Sequence, residues 1–349
     1  MANGCIYGTH RVLEPKGSLP QPAWRIDNSM ELFDNEILID VRALNIDSAS
    51  FRQINEAAAG DGEKIKALML EIVAQRGKLH NPVTGSGGML IGGVEKIGSA
   101  LAGKSELKPG DKIATLVSLS LTPLRIDRVK AVHPGIDRVE IEGKAILFAS
   151  GIYAKLPRDM PETLALAVLD VAGAPAQTAK LVKPGDTVAV LGGGGKSGLL
   201  CLLEARKRTG PWGKVIGMGR SGTSCARMER LGAADHVIQA DVSKALEVYR
   251  VIESLTGGRL ADLTVNCVNV PGTELASIMS TREGGTVYFF SMATSFTAAA
   301  LGAEGIGKDV SMLIGNGYTR NHADIALELL RENQVLRDMF TELYAKEAL

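Results

Sequence analysis

The chain has little that would hold a metal, a disulfide framework or a membrane. Its four cysteines, Cys5, Cys201, Cys225 and Cys267, are scattered and form no Cys-x-x-Cys pair. That excludes a disulfide scaffold and a structural zinc knot, and it fits a reducing cytoplasm. Neither sign of charge is in excess: 39 Lys and Arg balance 39 Asp and Glu. A neutral balance argues against nucleic acid or an anionic membrane as partner. No apolar run approaches the ~20 residues that a membrane span needs. The first residues, MANGCIYGTHRV, lack the apolar core of a signal peptide. Aromatics make up only 4% of the chain while glycine contributes 40 residues, which suits a turn-rich α/β enzyme. The 349 residues are enough for two domains with sizeable cores.

What is there is concentrated in residues 187–228, TVAVLGGGGKSGLLCLLEARKRTGPWGKVIGMGRSGTSCARM. An apolar run meets four glycines, then an amphipathic helical pattern, then a second apolar run. Strand, tight turn, helix and strand in that order form the dinucleotide-binding unit. Gly193, Gly194, Gly195 and Gly198 carry the turn, and both G-x-G-x-x-G and G-x-x-G-x-x-G fit it. Lys196, Ser197 and Gly198 open the helix, whose free N–H groups and dipole favour a pyrophosphate. Gly195-Lys196-Ser197 also resembles the end of a P-loop. That motif needs glycine five residues earlier, where Val190 stands, so a nucleoside triphosphate is excluded.

The second strand speaks to the choice of dinucleotide. NAD enzymes usually place Asp or Glu about twenty residues beyond the glycines, on the ribose 2′-OH. No carboxylate occurs from Lys214 to Met228, and the strand ends Gly219-Arg220-Ser221 with Arg227 behind it. Arginine and hydroxyls welcome a 2′-phosphate, so NADP is favoured over NAD. The competing reading makes Arg220 and Arg227 plain solvated helix residues.

Apolar runs predict strands near 187–191, 214–219, 236–238, 262–268, 285–291 and 309–314, alternating with helices near 196–208, 224–231, 243–255, 273–280 and 321–333. Alternation implies an α/β fold with a doubly wound parallel sheet, a Rossmann domain over 155–333, with ligands outside the carboxyl ends of the strands. Val268 and Asn269, and Ser291 and Met292, end two of these strands, where backbone groups meet a nicotinamide ribose and carboxamide. Met279 and Met292 read also as core. Residues 1–154 differ, with short β-like pieces at Glu36–Ala43, Met89–Ile97, Lys112–Val117 and Arg128–Val132 between Pro and Gly turns. One helix interrupts them, with Ile65, Leu68, Met69, Ile72 and Val73 as its apolar stripe and Gly77 as its end. This half reads as a β-rich substrate and catalytic domain. Residues 334–349 are expected to form a C-terminal segment packing back on it.

Five strings go further. LKPGDKIATL (107–116) and KPGDTVAVLGGGG (183–195) resemble the medium-chain dehydrogenase/reductase superfamily. YGTHRVLEPKGSLPQPAWRIDN (7–28), LHNPVTGSGGMLIG (79–92) and IYAKLP (152–157) resemble, within it, the L-erythro-3,5-diaminohexanoate dehydrogenase family of lysine fermentation. The resemblance covers essentially the whole chain and implies a GroES-like N-terminal domain. It also implies oxidative deamination of L-erythro-3,5-diaminohexanoate to 5-amino-3-oxohexanoate, with NAD(P) reduced and ammonia released. A small-molecule substrate, no nucleic-acid or membrane partner, a homodimer and a cytoplasmic location are expected. The Gly-His-Glu motif of zinc alcohol dehydrogenases aligns with Gly85-Ser86-Gly87, and their catalytic cysteine aligns near Asp47. With ligand types lost at two points, no metal is expected.

Without zinc, side chains must handle protons. Asp47 is the first choice as base or as holder of the substrate ammonium; as an N-cap of the segment after it, it would be structural. His80 suits proton shuttling or, alternatively, a helix C-terminal dipole. Asn81, Thr84 and Ser86 share one polar loop that could position water, cofactor amide or substrate; each could equally be a turn former. Arg52 could clamp the substrate carboxylate, with Arg125 a less local alternative and simple solvation the plainer reading. Asp170 falls near a second zinc-ligand place of relatives, or caps a turn. Two rival functions stay open. One is a zinc-independent quinone or enoyl reductase of the same superfamily; the other is a non-catalytic NADPH-binding regulator. His10 and Arg11 have no role that sequence chemistry assigns.

Overall fold

The computed structural model describes residues 4–81, 87–315 and 317–345. The chain divides into two units, Met1–Arg158 and Asp159–Leu349.

In the first unit, a small pair, β1 (Val12–Glu14) and β2 (Arg25–Ile26), precedes the long strand β3 (Glu36–Asn45). Helices α1 (Ser48–Ala57) and α2 (Gly62–Arg76) follow, then β4 (Met89–Ile97), β5 (Lys112–Thr115), β6 (Leu124–His133), β7 (Arg138–Phe148) and β8 (Tyr153–Lys155). The main sheet runs β6-β7-β3-β4-β5-β8, with every pair antiparallel. Helix α2 presents Ile65, Met69 and Val73 to the core shared with Ile39, Leu44 and Leu90. It stops at Gly77, which adopts φ 73° with its N–H on the Val73 carbonyl, the left-handed cap that glycine adopts at least cost.

The segment before β3 is anchored by one buried ion pair. Arg11, with no exposed surface, donates Nε to Glu36 Oε1 and Nη2 to Glu36 Oε2, both at 2.7 Å. Its remaining N–H groups reach the Ser29 and Glu31 carbonyls at 2.8 and 2.7 Å. Cys5 N–H donates to His10 Nδ1, so the proton of that ring sits on Nε2 and is given to Glu36 Oε1 at 2.8 Å. Burial alone would raise the Glu36 carboxyl; Arg11, the Phe33 N–H and His10 outweigh it and hold it below its usual value. The two family-like residues without a chemical role, His10 and Arg11, are therefore the lock of the N-terminal segment.

The second unit begins with α3 (Glu162–Leu169) and α4 (Gly173–Leu181). It continues β9 (Thr187–Leu191), α5 (Lys196–Thr209), β10 (Lys214–Gly219), α6 (Gly222–Leu231), β11 (His236–Gln239), α7 (Ala245–Leu255) and β12 (Ala261–Asn266). Then come α8 (Glu274–Ser280), β13 (Thr281–Phe289), α9 (Phe296–Gly305), β14 (Ser311–Ile314), α10 (His322–Glu332) and α11 (Gln334–Tyr344). All strands are parallel in the order β11-β10-β9-β12-β13-β14. That is the doubly wound Rossmann order, with its reversal between β9 and β12. The sequence reading set residues 334–349 apart; α11 lies in this unit, burying Leu336, Met339 and Phe340 against neighbours that include α3, α6 and α10. Met292 is corrected: it is 90% exposed in the loop after β13 and is not core. Among the described residues no helix is long and apolar enough to cross a membrane.

Removing one partner of a buried pair leaves the other charge uncompensated, at about 3–5 kcal/mol. Arg11→Met is expected to lower the unfolding midpoint of the first unit accordingly, and adding Glu36→Gln should recover part of the loss. A denaturant titration showing the single and double variants equal to wild type would refute the lock.

Candidate active site

The glycine turn is shaped by contacts too close for a side chain. Strand β9 ends at Gly192 with φ 78°, a conformation that L side chains rarely adopt. Gly193 N–H then donates to the Met218 carbonyl at 2.8 Å, carrying the turn over β10. A Cβ on Gly198 would lie 2.2 Å from the Gly192 carbonyl, and one on Gly194 would lie 2.2 Å from Ser224 Oγ. Helix α5 thus starts pressed against its own strand. Its N-cap, Gly195, offers no side-chain acceptor, and the first helical bond is Leu199 N–H to the Gly195 carbonyl. The N–H groups of Lys196, Ser197 and Gly198 are left for an anion.

A cleft of about 370 Å³ opens over this turn. Of the candidates read from sequence, it gathers Gly194, Gly195, Gly219, Arg220, Ser221, Arg227, Val268 and Asn269. Gly193 and Gly198 pack inward instead, the first toward Met228 and the second toward Gly192. Lys196 turns aside: its Nζ pairs with Asp170 Oδ2 at 2.9 Å and lies 5.2 Å from the Tyr344 ring centre. Asp170, at the C-terminus of α3, is therefore an ion-pair partner of the turn lysine. The neighbouring Cys201 thiol first, with a smaller contribution from Ser197, holds the Cys267 thiol below its usual value against the opposing effect of burial.

At one end of the cleft, Arg220 is exposed, with Nε 3.9 Å from Asp241 Oδ2. Ser221 caps α6 by accepting from Ser224 N–H at 3.2 Å. Arg227 reaches back from α6 and donates Nη1 to the Gly194 carbonyl at 3.4 Å, which sets it beside the glycine turn. Asp241 accepts both the hydroxyl and the N–H of Ser243, and these bonds hold its carboxyl below the usual value.

At the other end, Asn266 is fully buried and organises two loops. Its Oδ1 accepts from Val268 N–H at 2.9 Å, and its Nδ2 donates to Thr273 Oγ1 at 2.8 Å and Ser277 Oγ at 2.9 Å. Its backbone carbonyl accepts from Phe290 and Ser291 N–H at 3.0 and 3.4 Å. The loops that carry Val268, Asn269 and Ser291 hang from one residue. Sequence reasoning missed Asn266, the last of three alternating polar residues, with Asp262 and Thr264, in β12. It also missed Asp241 and Cys267, which line the cleft from the ends of β11 and β12.

The first unit holds the acid–base candidates. Asp47 is the N-cap of α1: Oδ1 accepts from Ser50 N–H at 2.9 Å and Oδ2 from Ser50 Oγ at 2.6 Å. Asn81 Nδ2 donates to the same hydroxyl at 3.2 Å, so carboxylate, hydroxyl and amide form a chain. Among the described residues, the buried His80 Nδ1 has no hydrogen-bond partner. Burial first, then the Lys78 and Arg76 charges, push His80 down to about 4, so its ring is neutral near pH 7. Lys78 is itself lowered to about 8 by burial and gives its ammonium to the Pro20 and Gln21 carbonyls at 2.6 and 2.8 Å. Arg52 is exposed on α1. Thr84 and Ser86 lie outside the described residues.

Residues 10–157 match the family described as L-erythro-3,5-diaminohexanoate dehydrogenase N-terminal domain, and residues 198–331 match that described as zinc-binding dehydrogenase. A curated protein of Acetoanaerobium sticklandii named L-erythro-3,5-diaminohexanoate dehydrogenase is 64% identical over 98% of this chain and 99% of its own. One of the same name from Fusobacterium nucleatum subsp. nucleatum is 62% identical over 99% of this chain and 100% of its own. The chain belongs to the L-erythro-3,5-diaminohexanoate dehydrogenase family. Solved structures share the fold at lower identity. CurK enoyl reductase has a TM-score of 0.55 at 16% identity, covering 92% of this chain and 86% of its own. Alcohol dehydrogenase TADH from Thermus sp. ATN1 has a TM-score of 0.54 at 20% identity, covering 93% and 90%.

Membership of a dehydrogenase family implies a nicotinamide cofactor, and the uncapped α5 start and the Cβ-excluding turn fit one. The description of the second match names zinc, and no group of three or more His, Cys, Asp or Glu converges among the described residues. Gly198→Ala forces the turn off its position, at the roughly 1–3 kcal/mol typical of overpacking. The expected reading is a fall in NADPH affinity by fluorescence titration, with the circular dichroism spectrum retained; unchanged affinity would show that another surface holds the dinucleotide.

Proposed function

We propose that this chain oxidises L-erythro-3,5-diaminohexanoate at C3 with NADP, giving 5-amino-3-oxohexanoate and ammonia, and runs the reductive amination in reverse. The observation that carries the reading is the glycine cradle in a chain 64% identical, over nearly its whole length, to a protein of that name. The bound nicotinamide supplies a hydride acceptor. The protein's part is to take a proton from the C3 ammonium, so that the neutral amine can give its C3 hydride to the nicotinamide and become an iminium. It must then deliver water to the imine and a proton to the departing ammonia.

For the cofactor, α5 N–H groups face the pyrophosphate and Arg220 meets the 2′-phosphate of the adenosine ribose. The absence of a carboxylate at the end of β10 supports NADP, and Asp241 nearby opposes it. For the proton, Asp47 is the proposed base, acting at Oδ2 through the Ser50 hydroxyl that already bonds it. A neutral His80 beside Asn81 can accept a hydrogen bond. A homodimer belongs to the same reading. Strand β14 is an open sheet edge, and Ile314, Phe296 and Leu301 are 58%, 70% and 62% exposed. A quinone or enoyl reductase finds support only in the shared fold of distant structures.

Arg220 is exposed, so its contact with a 2′-phosphate takes the low end for a charged hydrogen bond, about 1.5 kcal/mol. Arg220→Ala should weaken NADP by that amount and leave NAD unchanged. Equal weakening of both in parallel titrations argues against the assignment.

Asp47→Asn separates catalysis from capping. Asn caps helices nearly as well as Asp, so the fold survives. A general base contributes about 10²–10⁴-fold, and turnover should fall by that order while NADP affinity holds. Ammonium release and nicotinamide absorbance on 3,5-diaminohexanoate give the measurement. Wild-type inactivity would sink the functional reading, and a variant near wild-type turnover would sink the role of Asp47.

A further inference from the structure

We propose that Lys180 and Arg320 hold the substrate's carboxylate, in a second hollow on the dinucleotide unit beyond the nicotinamide end of the cleft. This rests on the functional reading above and deepens it: the enzyme selects amines by their distance from a carboxylate.

The hollow, about 330 Å³, lies at the carboxyl ends of the last two strands of the sheet, over Tyr288 of β13 and Leu313 and Ile314 of β14. Gly173, Gln177 and Lys180 of α4 line one wall, spaced so that one helix face presents all three. Thr319 and Arg320 line the other. The cofactor cleft spans the ends of β9 to β12 in the same sheet. Tyr288 lines this hollow, and Cys267 lines the cofactor cleft. A dinucleotide extended from Gly219 across the glycine turn ends near β12 and β13. The hollow is the next space along that edge.

Its charge decides what it takes. Lys180 and Arg320 are both exposed, and neither has an ion-pair or hydrogen-bond partner among the described residues. No Asp or Glu lines the hollow. Two uncompensated cations repel an oxidised nicotinamide ring, which is itself positive, and they repel both ammonium groups of a diamino acid. They attract a carboxylate, and an arginine can grip it with two N–H groups. Three anions are available: the substrate carboxylate, the cofactor pyrophosphate and its 2′-phosphate. The pyrophosphate already has the uncapped start of α5 and the 2′-phosphate has Arg220, so the substrate carboxylate is the better match. Anchoring C1 here fixes the reacting carbon by its distance from the carboxylate, and C3 lies two bonds away where C5 lies four. The site would therefore select 3-amino acids over 5-amino acids.

The test compares wild type with Lys180→Gln, Arg320→Gln and the double variant. KM and kcat are measured for 3,5-diaminohexanoate and for its carboxamide at saturating NADP, and the NADPH dissociation constant by fluorescence. The expected result is a KM for the carboxylate raised about 10–100-fold, with kcat changed far less. NADPH binding, which also reports a folded dinucleotide unit, should hold. The wild-type preference for carboxylate over carboxamide should collapse in the double variant. An unchanged KM overturns the inference. So does a loss of NADPH affinity with KM kept, which would assign the cations to the pyrophosphate. Arg52→Gln raising KM while these variants do not would return the carboxylate to Arg52. A wild type inactive on the substrate overturns the functional reading, and this inference falls with it.

Discussion

The dinucleotide unit depends on one close approach, that of the start of α5 to the Gly192 carbonyl. A Cβ on Gly198 would sit 2.2 Å from that oxygen, so helix and strand touch backbone to backbone. That contact aims the first N–H groups of α5 out of the turn rather than into a side-chain cap. Uncapped donors are tolerated where water or an anion takes their place. The order of strands follows the same geometry. Because β9 is central and the chain, after running out to β11, returns to β12 on its other side, the turn opens at the crevice between β9 and β12. The cofactor site is thus a consequence of glycine placement and winding, and charged residues only trim it at its edges.

The first unit solves a different problem. Its opening residues have few apolar side chains, with a small cluster of Val12, Ala23 and Ile26. Such a segment cannot be held by burial alone, and Arg11 with Glu36 supplies the fixed point. Every N–H of the guanidinium that points inward meets a carboxylate or carbonyl, which is the condition under which a buried pair persists. Lys78 repeats the device on Pro20 and Gln21. Its lowered pKa marks the cost of burying an ammonium with carbonyls alone for company.

How much of this could be read in the sequence varied with pattern. Strand Met89–Ile97 and helices α2 and α5 were legible because one apolar face recurs at one period. Strand β7 was missed because it changes pattern midway. Val139 and Ile141 alternate with Glu140 and Glu142, then Ala145–Phe148 is buried throughout. Helices α3 and α4 are nearly buried all round, so they show no stripe. Helix α9 shows its apolar residues outward, with Phe296 and Leu301 exposed and only small Ala299 and Ala303 inside. The cofactor end of the site was legible because glycine spacing is a backbone constraint. The roles of Asp170 and Lys196 were not, since an ion pair between residues 26 apart depends on how α3 meets α5.

The charge pattern along the sheet edge has a physical logic. Arg220 and Arg227 stand toward the adenosine and pyrophosphate, where a dinucleotide phosphate is negative. The middle, at Cys267, Val268 and Asn269, carries no charge. Lys180 and Arg320 stand beyond it. A nicotinamide ring changes from positive to neutral as it takes hydride, so a neutral bed avoids trapping either form. Had the far cations lain under the ring, they would have favoured the reduced form and slowed the return. Set one space further on, as proposed, they would meet the substrate carboxylate and leave the ring's charge change nearly unopposed. Asn266 ties down the edge between the two spaces: its side chain holds the segment after β12, and its backbone carbonyl holds the one after β13.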